Sequence, residues 1–450
     1  MGDTEEGRFG LQGGFLSTAD SVGSDSERVV ILGANGVMGI GAAEVFAAGG
    51  YQVTMLARDQ QKAADALAEV QALARAEAIS ESIEIGAYST DLERSVAGAA
   101  IIFEALAEDL ELKRSYFERV DRCRRPDSIV ATVSSGLSIA AMAEGRSESF
   151  RRHFLGIHLF NPPHMIVGTE VIPHTGTDPA VVAKVSALLS KRLGRRLIVA
   201  ADRPAFAANR IAFKTLNEVA QLVPDYGVVF LDYLIGPHTG RAMAPLATID
   251  LVGWDVHEAI VDNVHAHARD EAHALFKLPD YMKQGIARGH LGDKTPARGG
   301  FYRRTEKGVE VLDTASGTYH EAAPPAPIQF VERMKTLHRV GRYRESLAVL
   351  KTAQGGEADL ARRVVLGYIS YALNRVGEVA ATNGDIDTIM SYGFNWAPPS
   401  VLVDLLGAAD TVELMRRYEL NVPQLVERAA AEGRKLYAGS VLDFGRTFVG

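Results

Sequence analysis

The sequence has very little cysteine, with Cys123 as the single example in 450 residues. One cysteine excludes a disulfide framework within the chain and a metal site built from several thiolates. Long hydrophobic runs are also missing, since none approaches the roughly 18 apolar residues that a membrane-spanning helix needs. Positive charge is not in excess, because 48 Lys and Arg face 56 Asp and Glu. Nucleic acid is therefore a disfavoured partner, as phosphate binding needs clustered basic residues.

The first 27 residues lack both a basic start and an apolar segment, and glycine and serine are frequent among them. They do not have the pattern of a secretory signal, and we expect residues 1–27 to be a flexible tail. Without such a signal, and with one cysteine, a reducing compartment is favoured and a cytoplasmic location is expected. The composition, 47% hydrophobic and 23% charged, is typical of globular domains, and the length suggests two to four of them.

An α/β pattern fills the first part of the chain. Residues 29–32 form a short run of Val, Ile and Leu, typical of a buried parallel strand. A glycine turn, a helical stretch and a second strand-like stretch at residues 51–56 follow. Further strand-like stretches, "IEIGAYST", "AAIIFEAL" and "SIVATVSS", alternate with helical ones. This alternation predicts a Rossmann-like, doubly wound parallel sheet over residues 28–202.

After about Asp178 the strand signals fade and helical patterns dominate. We therefore predict all-α domains over residues 203–313 and 328–450, separated by a Pro-rich linker over residues 314–327. The two domains carry related stretches, "APLATIDLVGWD" and "PPSVLVDLLGAAD", which share Pro, four residues, Asp-Leu, one residue and Gly. This ordered similarity favours a duplicated helical domain. Chance similarity between helices rich in Ala and Leu is the alternative.

The glycine turn has the chemistry of a dinucleotide site. Glycine there permits a tight turn and a close approach to a pyrophosphate, and the following helix N-terminus supplies N–H donors and positive partial charge. The spacing is G-x-x-G-x-x-G rather than G-x-G-x-x-G, so one residue is inserted around Asn35. Any tight strand–helix turn favours glycine, but the position at the first strand favours cofactor binding. The predicted cofactor-binding residues of this turn are Gly33, Asn35, Gly36, Val37, Met38 and Gly39.

The end of the second strand bears on the choice between NAD and NADP. An acidic residue there would bind the ribose 2′-hydroxyl of NAD, but the sequence has Ala57, followed by Arg58 and Asp59. Loss of the acid, with a guanidinium nearby, suits the 2′-phosphate of NADP. Alternatively, Arg58 is a solvated loop residue and Asp59 binds the ribose. The sequence leaves both interpretations open.

A histidine and a glutamate stand out in "GIHLFNPPHMIVGTEVIP". His158 ends a short apolar run, and two prolines then force a turn, after which the chain can place Glu170 beside His158. A carboxylate next to an imidazole fixes its tautomer and makes it a better proton acceptor. The alternative is a core histidine with satisfied hydrogen bonds. Ser135 ends another predicted strand, where such sheets bind ligands.

Several longer stretches occur together in a particular order. Besides the histidine segment they are "ILGANGVMG", "IIFEALAEDLELKRSYFERVD", "SIVATVSSGLSI", "DRPAFAANRI", "APLATIDLVGWD" and "GHLGDKTPARGGFY". Over nearly the whole chain after residue 27, the sequence resembles the 3-hydroxyacyl-CoA dehydrogenase family. The resemblance implies a reversible, NAD(P)-dependent oxidation of a (3S)-3-hydroxyacyl-CoA to the 3-ketoacyl-CoA, as in fatty acid β-oxidation.

The resemblance also implies catalytic roles for individual residues. His158 would be the general base that takes the proton of the C3 hydroxyl, and Glu170 would orient it and stabilise its charged form. Ser135 and Asn209 would contact the substrate oxygen. Asn161 would lie near the nicotinamide and the His158 backbone. These roles require no metal, and none is predicted.

For the cofactor, the resemblance implies NAD by default, with NADP left open by Arg58. Ala107, Glu108 and Lys113 would line the nicotinamide end of the cofactor. From the sequence alone, an exposed helix face is the favoured interpretation of Glu108 and Lys113. An acyl-CoA is the implied substrate, but the basic residues that would bind its 3′-phosphate are not identifiable.

The sequence departs from the family pattern at several positions. Val133 stands where the family commonly has an amide side chain, which affects the local cofactor contacts. Gly168 and Thr169 precede Glu170 where bulkier apolar residues are usual, so Glu170 is expected to be held less tightly. Two other functions remain open: a dehydrogenase or reductase of a 3-hydroxy acid or diketone without CoA, and a non-catalytic cofactor-binding protein of this fold.

The duplicated helical portion has its own implication. Single-copy relatives pair their helical domains in a dimer, whereas a second copy can pack against the first within one chain. We therefore expect either a monomer with an internal pseudo-dimer or a homodimer. The second copy is predicted to cap the first and to carry no active-site residue.

Overall fold

The computed structural model describes residues 28–74 and 77–437, and the architecture below refers to these ranges. The predicted tail over residues 1–27 and the last 13 residues of the predicted second helical domain lie outside them. Within the described part of the chain, no helix combines the length and the apolar composition needed to cross a membrane.

An eight-stranded sheet forms the N-terminal domain, in the order β3-β2-β1-β4-β5-β6-β7-β8. Neighbouring strands are parallel except for the antiparallel pair β6 and β7. This arrangement confirms the Rossmann-like prediction. The strands are β1 (Arg28–Leu32), β2 (Gln52–Ala57), β3 (Ile83–Ala87), β4 (Ile101–Glu104), β5 (Ile129–Thr132), β6 (Phe154–Leu159), β7 (Gly168–Pro173) and β8 (Arg196–Val199).

Helices cover both faces of this sheet, which explains why its strands are apolar on both sides. In β1, Val29 and Ile31 belong to one buried cluster, and Val30 and Leu32 belong to the other, because successive side chains point to opposite faces. The helices are α1 (Val37–Ala48), α2 (Gln60–Leu73), α3 (Glu77–Glu81), α4 (Tyr88–Ala97), α5 (Leu110–Cys123), α6 (Ile139–Ala143), α7 (Glu148–Arg152) and α8 (Pro179–Ala187).

The first helical region is not entirely helical, which corrects the prediction for residues 203–313. Its helices are α9 (Ala208–Tyr226), α10 (Val228–Leu234), α11 (Pro245–Val252), α12 (Trp254–His267) and α13 (Asp280–Ala287). A three-stranded antiparallel sheet then follows, formed by β9 (Tyr302–Thr305), β10 (Gly308–Asp313) and β11 (Thr318–Glu321). β11 falls inside the predicted linker, so only residues 322–328 connect the regions as coil. These strands are short and largely solvent-facing, so they lack the apolar alternation that identifies a strand.

The second helical region contains a helix whose ends and hydrogen bonds resemble those of a helix in the first region. Its helices are α14 (Gln329–Arg339), α15 (Tyr343–Thr352), α16 (Gly356–Asn374), α17 (Asn383–Phe394), α18 (Pro399–Leu406), α19 (Ala408–Arg417) and α20 (Gln424–Glu432). Both α11 and α18 start with proline and end at a glycine with positive φ, Gly253 (100°) and Gly407 (94°). Asp250 in α11 accepts the N–H groups of residues 301 and 302, and Asp404 in α18 accepts those of residues 436 and 437. We infer from this correspondence that the region arose by duplication.

The second region packs against both other parts of the chain. Ala201 donates its N–H to the carbonyl of Val379, at 2.9 Å, beside an isolated antiparallel bridge between Ala200 and Ala380. Arg210 of α9 pairs with Asp270 at 2.7 Å and with Glu378 of the second region at 3.0 Å. The two helical regions are therefore joined by an ion cluster around the buried Arg210.

Candidate active site

His158 and Glu170 face one another across the only antiparallel step of the large sheet as described. They are direct partners in the register of β6 and β7. Nδ1 of His158 lies 2.6 Å from Oε2 of Glu170, and both side chains are buried. A carboxylate can only accept, so Nδ1 carries the proton and Nε2 keeps its lone pair. The arrangement leaves Nε2 as a base, with the charge of a protonated imidazole stabilised by Glu170.

The second oxygen of Glu170 binds the start of α9. Oε1 accepts the N–H groups of Ala207 and Ala208, each at 3.0 Å. These are free donors at a helix N-terminus, where the helix dipole favours negative charge. Glu170 is therefore tightly held, and the expectation that the small residues before it would loosen it is wrong.

A strained turn directs these N–H groups towards Glu170. Ala205 (φ 59°) and Phe206 (φ 53°) adopt the left-handed region just before α9, although neither is glycine. Such residues cost about 1–3 kcal/mol each and persist only where the surroundings fix them. Both are fully buried, and the Phe206 ring lies 5.8 Å from the His158 ring. The turn thus shapes the histidine pocket while it positions the start of α9.

Ser135 and Asn209 come together from different domains. Nδ2 of Asn209, in the first turn of α9, donates to the Ser135 carbonyl at 3.2 Å. Asn263 of α12 adds a similar bond, since its Nδ2 donates to the Gly136 carbonyl at 2.9 Å. Two asparagines of the helical region therefore hold the serine turn of the Rossmann-like domain. Asn263 was not predicted, because a lone Asn inside a helix gives no signal in one sequence.

Asn161 takes a different position from these residues. It follows β6 on an exposed segment, and among residues 28–74 and 77–437 it makes no side-chain hydrogen bond. Its predicted place near the nicotinamide stays a prediction.

Lys113 is buried in α5, so the interpretation of an exposed helix face is wrong for it, whereas Glu108 lies just before α5 and its side chain is 41% exposed. Oε1 of Glu108 accepts Ser134 Oγ at 2.5 Å and the Ser135 N–H at 2.9 Å. The Lys113 side chain is 1% exposed, and its Nζ lies 3.5 Å from Oε2 of Glu108. Glu108 therefore holds the serine turn through two hydrogen bonds, and the Lys113 ammonium forms an ion pair with Glu108.

The same lysine reveals a buried glutamate that sequence reasoning missed. Nζ of Lys113 lies 2.7 Å from Oε1 of Glu104, which ends β4 and is fully buried. Oε2 of Glu104 accepts Thr132 Oγ1 at 2.6 Å. Burial raises the pKa of Glu104, and the Lys113 ammonium opposes that rise. A charged residue closing the apolar run "IIFE" was the available signal, since ligands bind at the carboxyl ends of parallel strands.

The glycine turn leaves room for a bound group at α1. A Cβ on Gly33 (φ 77°) would collide with the Ala105 carbonyl, and one on Gly39 with the Gly33 carbonyl. Gly36 is different, because a Cβ there would meet nothing closer than 3.5 Å. The first turn of α1 contains no acidic residue, and no side chain of the described residues caps its N-terminus, so its N–H groups fit a pyrophosphate. Asn35 and Val37 are exposed and Met38 is half-buried, which opens this end to a ligand.

At the end of β2, Asp59 is used by the protein itself. Its Oδ1 accepts the Lys62 N–H at 2.9 Å and so caps α2. Ala57 is buried, whereas Arg58 is exposed and its side chain makes no hydrogen bond or ion pair within the described ranges. Ala107 is also exposed, on the segment between β4 and α5.

A Rossmann-like sheet with an open glycine turn and a buried His–Glu pair defines a dinucleotide-dependent oxidoreductase. Two family models match the chain: "3-hydroxyacyl-CoA dehydrogenase, NAD binding domain" over residues 28–203, and "3-hydroxyacyl-CoA dehydrogenase, C-terminal domain" over residues 206–304. A probable 3-hydroxyacyl-CoA dehydrogenase from Deinococcus radiodurans is 34% identical over 294 residues, which cover 62% of this chain and 83% of that protein. The chain belongs to the 3-hydroxyacyl-CoA dehydrogenase family.

Two further comparisons concern a longer relative and the fold. A probable 3-hydroxyacyl-CoA dehydrogenase from Bacillus subtilis is 31% identical over 353 residues, or 75% of this chain. The chain spans 42% of the length of that relative. The 3-hydroxybutyryl-CoA dehydrogenase from Escherichia coli shares the fold, with a TM-score of 0.67 at 20% identity, over 90% of this chain and 98% of that one.

Proposed function

We propose that this chain catalyses the reversible, NAD(P)-dependent oxidation of a (3S)-3-hydroxyacyl-CoA to the 3-ketoacyl-CoA. The observation that carries the proposal is the buried pair of His158 and Glu170, with Nε2 of His158 left to accept a proton. Oxidising a secondary alcohol needs a hydride acceptor, a base and polar groups for the oxygen. Family membership supplies the substrate class.

A bound nicotinamide cofactor would supply the hydride acceptor. Nε2 of His158 would take the proton of the C3 hydroxyl. Glu170 stabilises the imidazolium that forms, and its own charge is held by the N–H groups of Ala207 and Ala208. Ser135 and Asn209 contact the substrate oxygen, and Glu108 keeps the serine turn in place. In the reverse direction His158 returns the proton to the oxygen.

The cofactor-binding domain is of the NAD type, and we propose that NADP is accepted as well. The exposed Arg58, directly after β2, supports this proposal. The residue before it is Ala57, which has no carboxylate, and the carboxylate of Asp59 is used to cap α2. A guanidinium there attracts a 2′-phosphate. Arg58→Ala should lower the NADP/NAD ratio of kcat/KM. An unchanged ratio would show that Arg58 does not read the 2′ position.

The function is tested by absorbance at 340 nm with acetoacetyl-CoA, using NADH and NADPH in parallel. The native chain should oxidise at least one cofactor, and His158→Gln should reduce kcat by about 10²-fold or more, as expected for loss of a general base. Silence with both cofactors, in a protein that binds one of them, would favour a non-catalytic binding protein. Turnover of a free 3-keto acid that CoA does not inhibit would favour a substrate without CoA.

A further inference from the structure

Tyr88 lies beneath the glycine turn and is not part of any motif. It is the first residue of α4, directly after β3, and the sheet order puts β2 between β3 and β1. Its hydroxyl nevertheless reaches the turn that follows β1, where it accepts the N–H of Gly33 at 2.5 Å. The tyrosine thus ties the edge of the sheet to the first residue of the dinucleotide turn.

The turn has a reason to need such support. It contains one residue more than G-x-G-x-x-G, so the chain must accommodate an extra peptide between β1 and α1. Gly33 is buried, and a buried N–H without an acceptor destabilises the conformation that buries it. The Tyr88 oxygen meets that requirement at the point where the turn leaves the sheet.

Tyr88 is itself firmly positioned. It is 7% exposed, and its ring meets the Tyr116 ring edge-on, with centroids 4.9 Å apart. Arg119 of α5 donates to the Tyr88 carbonyl at 3.3 Å. Burial raises the pKa of the hydroxyl, so it stays protonated at neutral pH. A fixed, neutral hydroxyl can accept one hydrogen bond and donate another.

The Tyr88 hydroxyl accepts a hydrogen bond but does not donate one within the described residues. Its oxygen accepts the Gly33 N–H, and no acceptor within residues 28–74 and 77–437 binds its O–H. The hydroxyl lies at the carboxyl edge of the sheet, beside a turn whose α1 N–H groups also lack a side-chain partner. An oxygen of a bound dinucleotide is the chemical partner that would satisfy this donor.

We propose that Tyr88 is a cofactor-positioning residue, which holds the enlarged glycine turn through Gly33 and donates a hydrogen bond to the bound dinucleotide. This inference rests on the proposed function for the identity of the cofactor. It assigns to the chain a cofactor contact outside the glycine motif, from the far edge of the sheet. Tyr88→Phe would keep the buried ring and remove both hydrogen bonds.

The test is a direct titration of NADH and NADPH, by fluorescence and by calorimetry, into the native chain, Tyr88→Phe and the matched control Tyr116→Phe. Tyr116→Phe keeps the same ring pair, and the Tyr116 hydroxyl makes no hydrogen bond in the part of the chain that is described. For Tyr88→Phe we expect the Kd of the preferred dinucleotide to rise about tenfold. Its kcat at saturating cofactor and its KM for acetoacetyl-CoA should stay within twofold of native.

ADP-ribose and nicotinamide mononucleotide separate positioning from general damage. Tyr88→Phe should weaken ADP-ribose as strongly as the whole dinucleotide, and leave nicotinamide mononucleotide unchanged. An unchanged Kd, or an equal loss in both tyrosine variants together with an equal fall in Tm, would overturn the inference. If Tyr88→Phe weakens the dinucleotide while no variant turns over acetoacetyl-CoA, this inference stands and the proposed function fails.

Discussion

The two carboxylate oxygens of Glu170 bind different partners, a side chain and the start of a helix. One oxygen fixes the His158 tautomer and the other satisfies two N–H groups at the start of α9. The pairing with His158 could be predicted, because both residues interrupt apolar stretches on either side of a proline turn. The contact with α9 could not, since it depends on two left-handed residues, Ala205 and Phe206, whose types give no sign of a positive φ.

This division predicts the outcome of Glu170→Gln. The glutamine oxygen would stay on the α9 N–H groups, since its amide would otherwise oppose them donor to donor. Its nitrogen would then donate to Nδ1 of His158, moving the ring proton to Nε2 and removing the base. We expect kcat at saturating substrates to fall by about 10²- to 10⁴-fold.

The matched control is Glu413→Gln, which makes the same chemical change at an exposed position of α19 and should leave kcat unchanged. A Glu170→Gln enzyme within threefold of native kcat would show that His158 does not act as a base.

At the scale of the elements, α17 limits the size of the side chain at position 168, two residues before Glu170. A Cβ on Gly168 would lie 2.5 Å from the backbone nitrogen of Gly393, because the end of α17 crosses β7 there. The small residue that departs from the family pattern is thus explained by close packing with the second helical region. Phe394, at the same end of α17, packs 5.7 Å from the Phe160 ring, which lies 4.8 Å from the ring of His158.

Gly168→Ala should therefore force β7 and α17 apart. We expect the free energy of unfolding in guanidinium chloride to fall by about 1–3 kcal/mol, as for other overpacked sites. Gly356→Ala is the control, since no atom of the described residues lies within 4 Å of a Cβ there, and it should be nearly neutral. Equal stability of the two variants would mean that the helix yields to the added methyl group.

Two aspartates of the second region should respond oppositely to the same substitution. Oδ2 of Asp387 is buried and has no hydrogen-bond partner among residues 28–74 and 77–437, and burial raises the pKa of Asp387 to about 7. Both oxygens of Asp404 accept backbone N–H groups. At pH 8, Asp387→Asn should raise the free energy of unfolding by about 1 kcal/mol, whereas Asp404→Asn should lower it by about 1–3 kcal/mol.

The pH dependence gives a second measurement on Asp387. Its folded-state pKa lies above its ordinary value of 3.8, so the folded chain holds the proton more tightly. The stability that this carboxyl contributes is complete below pH 3.8 and is lost as the pH rises through 7. Urea unfolding of the native chain between pH 4 and 8 should therefore show a steeper decline than unfolding of Asp387→Asn. Parallel declines would mean that Asp387 is solvated.

For the whole molecule, the order of domains could be predicted from the sequence, but the contacts between them could not. Hydrophobic periodicity separates strands from helices, and this was sufficient for the Rossmann-like sheet. The three short strands after α13 were not predicted, because much of their surface faces solvent and they therefore lack alternating apolar residues. Lys113 was misplaced for a related reason, since a lysine on a charged helix looks exposed until its buried partner Glu104 is known.

Removing the second helical region should be destructive. A chain ending at Ala322 would lose Phe394, the backbone bond of Val379 to Ala201, and the partner that Glu378 provides for the buried Arg210. Arg210 would keep Asp270 but lose its second carboxylate partner, and apolar surface now covered by the second region would be exposed, which favours aggregation. We expect large particles by light scattering. A monodisperse, active fragment would show that the region is dispensable.

The coil of residues 322–328 has a consequence for dilution. Since it joins the two helical regions covalently, each faces the other at an effective concentration that does not depend on how much protein is in solution. An active site that depended on two separate chains would lose specific activity as the enzyme was diluted below the dissociation constant of the pair. Here the second helical region, which packs against β7 and α9, belongs to the same chain. The specific activity should therefore stay constant down to the lowest enzyme concentration that can be assayed.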